Sequence, residues 1–278
     1  MERLVDLVRD GGVAVLTGAG VSTDSGIPDY RGDPNRVRRP PITYREFVTD
    51  VQGRRRYWAR SHLGWRRITD AVPNTSHQAV ANLEAAGLVG PVITQNVDGL
   101  HTAAGSRRVL ELHGSLHRTL CLGCGDRRSR LELHHRLSAA NPRFDEEEVE
   151  FAPDGDAVIS DGLTTRFRVV DCLGCGGLLK PDVIFFGENI PRPRVEEAYR
   201  LVAAATSLLV LGSSLTVMSG YRFVLAAHAA SIPVAIVNRG PTRGDQLADV
   251  RIEGGLAPVM AALARTVGGP AGRYPLTG

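Results

Sequence analysis

The chain has 278 residues, 43% hydrophobic and 23% charged, with a formal net charge of +3. That length suits one large domain, or one domain with a small module, and the composition is that of an ordinary globular protein. No apolar run approaches the roughly 18 residues needed to span a bilayer, and so small a net charge gives no argument for nucleic acid as a partner.

Met1–Asp10 carries apolar residues at helical spacing among charges of both signs. It resembles neither a secretory signal nor an acid-poor transit peptide, so a cytoplasmic protein is expected. The run Val13–Thr17 predicts a buried strand. It leads into Gly18-Ala19-Gly20-Val21-Ser22, and the segment continues through Ile27-Pro28-Asp29-Tyr30-Arg31. A strand entering a Gly-rich turn and then small hydroxyl residues lets a backbone approach a phosphate. The spacing differs from the ordinary dinucleotide fingerprint, and a plain strand-to-helix turn is the alternative.

Residues 32–76 are rich in Pro and Arg, hold both Trp, and predict a loop with helices. Ten arginines fall between Arg36 and Arg67. A solvated helical surface accounts for them; a basic groove for an acidic ligand is the other reading. A helix is predicted over His77–Ala86 and a buried strand over Val89–Thr94. Gln95, Asn96 and Asp98 then place two amides and a carboxylate at a strand end. A strand over Val109–Leu112 precedes His113-Gly114. A histidine there suits a general base near neutral pH, although a histidine taken singly in such a place is more often structural.

Cys121-Leu-Gly-Cys124 and Cys172-Leu-Gly-Cys175 hold all four cysteines. Two matching C-x-x-C knuckles, with Gly inside and after each, suit a closed tetrahedral zinc site. Two disulfides are the alternative, disfavoured without an export signal. Asn141–Gly162 is acidic and turn-rich and reads as a solvated insertion. Further strands are predicted over Val183–Phe186, Leu208–Leu211 and Val234–Val237, with helices over Pro193–Ala205 and Arg222–Ala230. Lys180 is the only lysine. Strands alternating with helices predict an α/β fold, a mostly parallel sheet covered on both faces. The polar motifs fall after its strands, where such sheets bind ligands.

Taken together, the Gly18–Arg31 loop, Thr94–His101, His113-Gly114, the two knuckles, Lys180–Glu188, Gly212-Ser-Ser-Leu215 and Ile236-Val-Asn238 resemble the sirtuins, the NAD-dependent protein deacylases, in order and over about residues 5–262. Arg56–Arg60, Ser219–Phe223 and Gly240–Arg243 look most like class II, and like a bacterial relative of its fourth mammalian, mitochondrial member.

The resemblance implies a Rossmann-like NAD-binding domain (1–31, 77–118 and 179–278), a cofactor loop with a helical insertion (32–76), and a small zinc module (119–178). It implies removal of acyl groups from protein lysines, releasing nicotinamide and O-acyl-ADP-ribose. NAD is then the co-substrate, one structural zinc is bound by Cys121, Cys124, Cys172 and Cys175, and the partners are acylated-lysine proteins; a monomer is expected. Gly18, Ala19, Gly20, Ser22, Ile27, Pro28, Asp29, Tyr30 and Arg31 would hold and cover the cofactor. Gln95, Asn96 and Asp98 would line its ribose and nicotinamide pocket, with His113 as the base. Gly212, Ser213, Ser214, Asn238, Arg239, Gly240 and Leu256 would contact the adenosine half. Val183, Phe186, Gly187 and Glu188 would form an edge for the substrate peptide. Tyr57 and Arg60 have the spacing of a pair that receives acidic acyl groups. Met218-Ser219 departs from the Pro-containing stretch of typical deacetylases, which puts strong deacetylation in doubt. Protein mono-ADP-ribosyl transfer and a non-catalytic NAD-sensing scaffold are the competing readings.

Overall fold

The computed structural model describes residues 1–29, 41–144, 150–151, 157–158 and 161–267. Tyr30, Arg31 and residues 145–149, 152–156 and 159–160 of the acidic stretch lie outside the described residues. In chain order the strands are β1 (Val13–Thr17), β2 (Val89–Thr94), β3 (Val109–Glu111), β4 (Gly114–Cys121), β5 (Arg127–Ser129), β6 (Glu150–Phe151), β7 (Ala157–Val158), β8 (Leu179–Val183), β9 (Ser207–Leu211), β10 (Val234–Asn238) and β11 (Val250–Glu253). The helices are α1 (Glu2–Arg9), α2 (Tyr44–Thr49), α3 (Val51–Asp70), α4 (Thr75–Ala85), α5 (Leu100–Ala103), α6 (Arg130–Ala140), α7 (Asp161–Arg166), α8 (Arg192–Ala203), α9 (Met218–Ala229) and α10 (Leu256–Val267).

Six strands form one parallel sheet in the order β11-β10-β9-β1-β2-β3. This is the doubly wound order, with its switch point between β1 and β9. The strands explain why both faces are covered. Along β1, Val13 and Val15 join one core while Ala14 and Leu16 join the other. β9 divides the same way, Leu209 and Leu211 against Leu208 and Val210. The first face packs on α1, α4 and α10 through Leu4, Val80, Leu83 and Met260. The second packs on α8 and α9 through Ala198, Val202, Phe223 and Val224.

A third core lies away from this sheet. It joins Phe47 of α2, Tyr57 and Trp58 of α3, and Leu133 and Leu137 of α6 to Cys121, Cys172 and Phe185. The 20-residue helix α3 therefore packs toward the cysteine module. Arg130 is 1% exposed, with its guanidinium 5.3 Å from the Trp58 ring and 5.0 Å from the Trp65 ring, and it donates to the Ser61 carbonyl. Two aromatic faces and a carbonyl make that burial tolerable.

One expected strand is corrected. Val183–Phe186 is not a strand of the parallel sheet. The strand is β8, it ends at Val183, and it pairs antiparallel with β4 in a separate sheet of order β5-β4-β8. Its polar residues hid it from periodicity. Asp182 is buried against Arg118 at 3.1 Å and Arg127 at 3.4 Å, and Lys180 pairs with Glu188 at 3.0 Å. Helix α9 also starts four residues before the expected Arg222. No helix among the described residues is long and apolar enough to cross a membrane.

Candidate active site

The carboxyl ends of β1 and β9 meet at the switch point, and three glycines permit that approach. The Gly20 amide donates to the Gly212 carbonyl at 2.9 Å, and the Gly18 amide donates to that of Leu211 at 3.1 Å. A Cβ at Gly20 would sit 2.8 Å from the Gly212 oxygen. Gly212 has φ +59°, and a Cβ there would lie 2.5 Å from the Val21 nitrogen. Side chains at these positions would separate the two strand ends. After Gly18 the chain enters a 3₁₀ turn, Ala19–Ser25, instead of a full helix.

A cleft of about 1780 Å³ opens above this contact and reaches across to the cysteine module. Every described residue of the expected cofactor set lines it, from Gly18, Ala19, Gly20, Ser22, Ile27, Pro28 and Asp29 to Gly212, Ser213, Ser214, Asn238, Arg239, Gly240 and Leu256. Gln95, Asn96, Asp98 and His113 line it too, as do Tyr57, Arg60, Val183, Phe186, Gly187 and Glu188.

The segment after β2 is cross-braced. Asn96 Nδ2 donates to the Gly18 carbonyl at 3.1 Å and to Ser22 Oγ at 3.0 Å, and Ser22 Oγ donates to Asp98 Oδ2 at 2.7 Å. The other oxygen of Asp98 accepts the Leu100 amide at 2.9 Å. Gln95 Nε2 donates to Ser213 Oγ at 2.9 Å. Beneath them, Thr17 Oγ1 donates to Thr94 Oγ1 at 2.8 Å, and His101 Nε2 lies 3.0 Å from Thr17 Oγ1. The polar floor of the cleft is thus built from the chain's own partners, which holds it ready before any ligand arrives.

His113 is held at both nitrogens. Nδ1 lies 2.9 Å from the Gln95 carbonyl, and a carbonyl only accepts, so Nδ1 carries the proton. Nε2 is then the bare nitrogen, 2.9 Å from Ser219 Oγ. Burial pushes the imidazole pKa below its ordinary value; the Gln95 carbonyl opposes that shift and Arg194 adds to it. A neutral imidazole whose basic nitrogen is engaged only by an exchangeable hydroxyl meets the requirement for a general base. Gly114, at φ +84°, is required next to it because a Cβ there would overlap the Asp182 carbonyl of β8.

On the opposite wall, Tyr57 packs edge-on against Phe47 and Phe185 at 5.4 and 5.2 Å. Phe186 stands half exposed, and its carbonyl accepts the Tyr44 amide at 2.9 Å. The Glu188 carboxylate turns inward to Lys180 Nζ and to the Phe185 amide at 2.8 Å. That side chain pins the 183–188 segment in place. Ser219 is the site residue that sequence reasoning passed over as a partner of His113. A serine in the first turn of α9 carries no local mark of a histidine 106 residues away.

The four cysteine Sγ atoms lie within 4.8 Å of one another, with Cys121–Cys175 at 3.5 Å and Cys124–Cys172 at 3.8 Å. Zn–S bonds of about 2.3 Å in a tetrahedron require sulfurs about 3.8 Å apart, so the set fits zinc. The Cys124 amide, then that of Gly123, help lower the Cys121 thiol to about 6. Against the pull of the Gly177 amide, Cys121 and the other sulfurs push Cys175 up to about 12. Four thiolates so close together need a cation, and a divalent metal supplies one.

Residues 18–219 match the model of the Sir2 family. The chain is 55% identical over 266 residues to NAD-dependent protein deacetylase 1 of Mycobacterium avium (strain 104), spanning 94% of this chain and 93% of that protein. It is 46% identical over 257 residues to the mitochondrial NAD-dependent protein lipoamidase sirtuin-4 of Bos taurus, spanning 91% and 81%. A solved structure of Sir2 bound to acetylated peptide superposes with a TM-score of 0.76 at 29% identity, covering 96% of this chain and 98% of that one. A second, of Sir2 with a p53 peptide and NAD+, gives 0.75 at the same identity and coverage.

Proposed function

Since this chain belongs to the Sir2 family, we propose that it removes acyl groups from protein lysine side chains with consumption of NAD, releasing nicotinamide and O-acyl-ADP-ribose. The observation that carries this reading is His113, a neutral base in the same cleft as the glycine contact between β1 and β9. When bound, NAD supplies an activated ribose carbon and a leaving nicotinamide. The chain's part is to bind, orient and move a proton. Gly18, Gly20 and Gly212 provide the close backbone approach that a pyrophosphate needs. Asn96, Ser22 and Asp98 present a rigid polar wall for a ribose. His113 Nε2 takes the ribose hydroxyl proton. The segment Val183–Glu188, pinned by Lys180, offers backbone to an extended acyl-lysine peptide. A zinc held by the four cysteines would be structural, because protein would fill all four ligand positions.

Acyl preference is a finer question. Arg60 lines the cleft, and an acidic acyl carboxylate suits a guanidinium. Tyr57 also lines the cleft while its ring packs on Phe47 and Phe185, which leaves Arg60 as the charged member of the pair. The test is nicotinamide release from NAD with acetyl-, propionyl-, succinyl-, glutaryl- and lipoyl-lysine peptides. Wild type runs beside His113→Ala and Arg60→Met. The expected result is acyl-dependent release by wild type, with deacylated peptide lowered at least about a hundredfold by His113→Ala. No release with any peptide, despite bound NAD, overturns the reading. A succinyl or glutaryl rate that falls no more than the acetyl rate in Arg60→Met removes the acidic-acyl preference.

A further inference from the structure

His113 Nε2 has a second neighbour besides any substrate, and the fold builds a place for it. Ser219 sits in the first turn of α9, and its Oγ lies 2.9 Å from Nε2. The next residue, Gly220, is tailored to the same site. A Cβ there would come within 2.5 Å of Gln95 Oε1, so any other residue would have to displace the end of the Gln95 side chain that reaches Ser213. The Gln95 carbonyl holds the other imidazole nitrogen. The Gln95 carbonyl and Ser219 Oγ therefore hold one ring at its two nitrogens.

Charge makes the contact more than a brace. Once Nε2 takes a proton the imidazole is a cation in a partly buried site. From α8 it faces Arg194, which disfavours that charge; from the segment after β2 it faces the Gln95 carbonyl; from α9 it faces Ser219. The serine hydroxyl can rotate, donating to bare Nε2 and accepting from Nε2–H. The second bond is charge-assisted and the stronger of the two.

We propose that Ser219 is a positioning residue for the His113 base: it aims Nε2 before reaction and accepts the Nε2–H hydrogen bond while the ribose proton rests there. The ribose hydroxyl takes the serine's place at the single Nε2 lone pair and gives up its proton there; Ser219 Oγ then accepts the new N–H, and the proton leaves with the departing lysine amine, so the serine is unchanged over a turnover. This rests on the deacylase reading for its catalytic arm only.

The experiment separates steps. Nicotinamide–NAD exchange in the presence of an acyl-lysine peptide reports ribosyl transfer before the base acts; deacylated peptide reports the step after it. Ser219→Ala is expected to lower deacylated peptide about tenfold, the loss of one hydrogen bond, while exchange stays within about twofold. Ser219→Thr, which keeps the hydroxyl, restores most of the rate. In a His113→Ala background, Ser219→Ala adds nothing. The non-catalytic arm is the ¹⁵N titration of the His113 ring in the free protein. Without the acceptor the imidazolium loses more than the neutral ring does, so Ser219→Ala moves the midpoint further down. Exchange and product falling in parallel, or an unmoved titration midpoint, overturns the proposal. If wild type shows neither exchange nor product with any peptide, the deacylase reading fails, and the titration still decides whether Ser219 holds His113.

Discussion

The parallel sheet and the cysteine module are stabilised by different physics. The sheet buries alternate residues of each strand into two separate cores, and its centre is almost wholly apolar. The module has few such residues. Its core mixes aromatic and aliphatic side chains, borrows Phe47, Tyr57 and Trp58 from α2 and α3, and encloses Arg130. Nearby, Lys180 at 1% exposure and Asp182 at 7% sit on β8, each with an ionic partner. The sheet is held by burial, a non-directional force that tolerates exchange of similar residues. The module is held by directional contacts and by four sulfurs around one ion, where a single loss is felt at once. The cleft lies between them, so its two walls respond differently to the same insult.

Metal loss gives the largest separation of the two. Cys121→Ser, or chelation, is expected to open residues 119–178 to proteolysis and abolish deacylation, while most far-UV circular dichroism from the sheet and its helices survives. Metal content, limited proteolysis and activity measured on one sample check it, and loss of all secondary structure together would erase the contrast. Next in size is the ion pair behind the 183–188 segment. Burial, the first cause, lowers the pKa of Lys180, while its bond to Glu188 opposes that shift. Lys180→Met leaves the Glu188 carboxylate without its cation, at a cost of about 3 kcal/mol in urea unfolding. Lys180→Met with Glu188→Gln should recover part of that, because the stranded charge is gone.

Near neutral pH the smallest effect belongs to the sheet's side, and it grows only as the pH falls. Burial, and after it the neighbouring His77, hold the His101 imidazole down to about 3. The unfolded chain, with a histidine of about 6.5, takes up a proton that the folded chain refuses. Stability is therefore complete above about pH 6.5 and falls as the pH drops from there toward 3. Denaturant midpoints across that window measure it. His101→Gln should flatten the slope, and an unchanged slope would assign the loss to other groups.

Much of the molecule was legible in the linear chain because it depends on neighbours in sequence. Strands β1, β2, β9 and β10 follow from short apolar runs, and the glycine turn and the C-x-x-C knuckles are local by construction. The described members of the expected cofactor set, from Gly18 to Leu256, all reach one cleft because they follow strand ends in a parallel sheet. Only the tertiary structure decided the rest. β8 escaped notice because Lys180 and Asp182 read as polar until Glu188, Arg118 and Arg127 are brought to them. The position of α3 against the cysteine core depends on Trp58 and Trp65 meeting Arg130, 72 and 65 positions apart. The bond from Ser219 to His113 joins the starts of two elements far apart in the chain. Periodicity records which face of a segment avoids water; which polar group meets which across the fold is set by packing, and no local pattern encodes it.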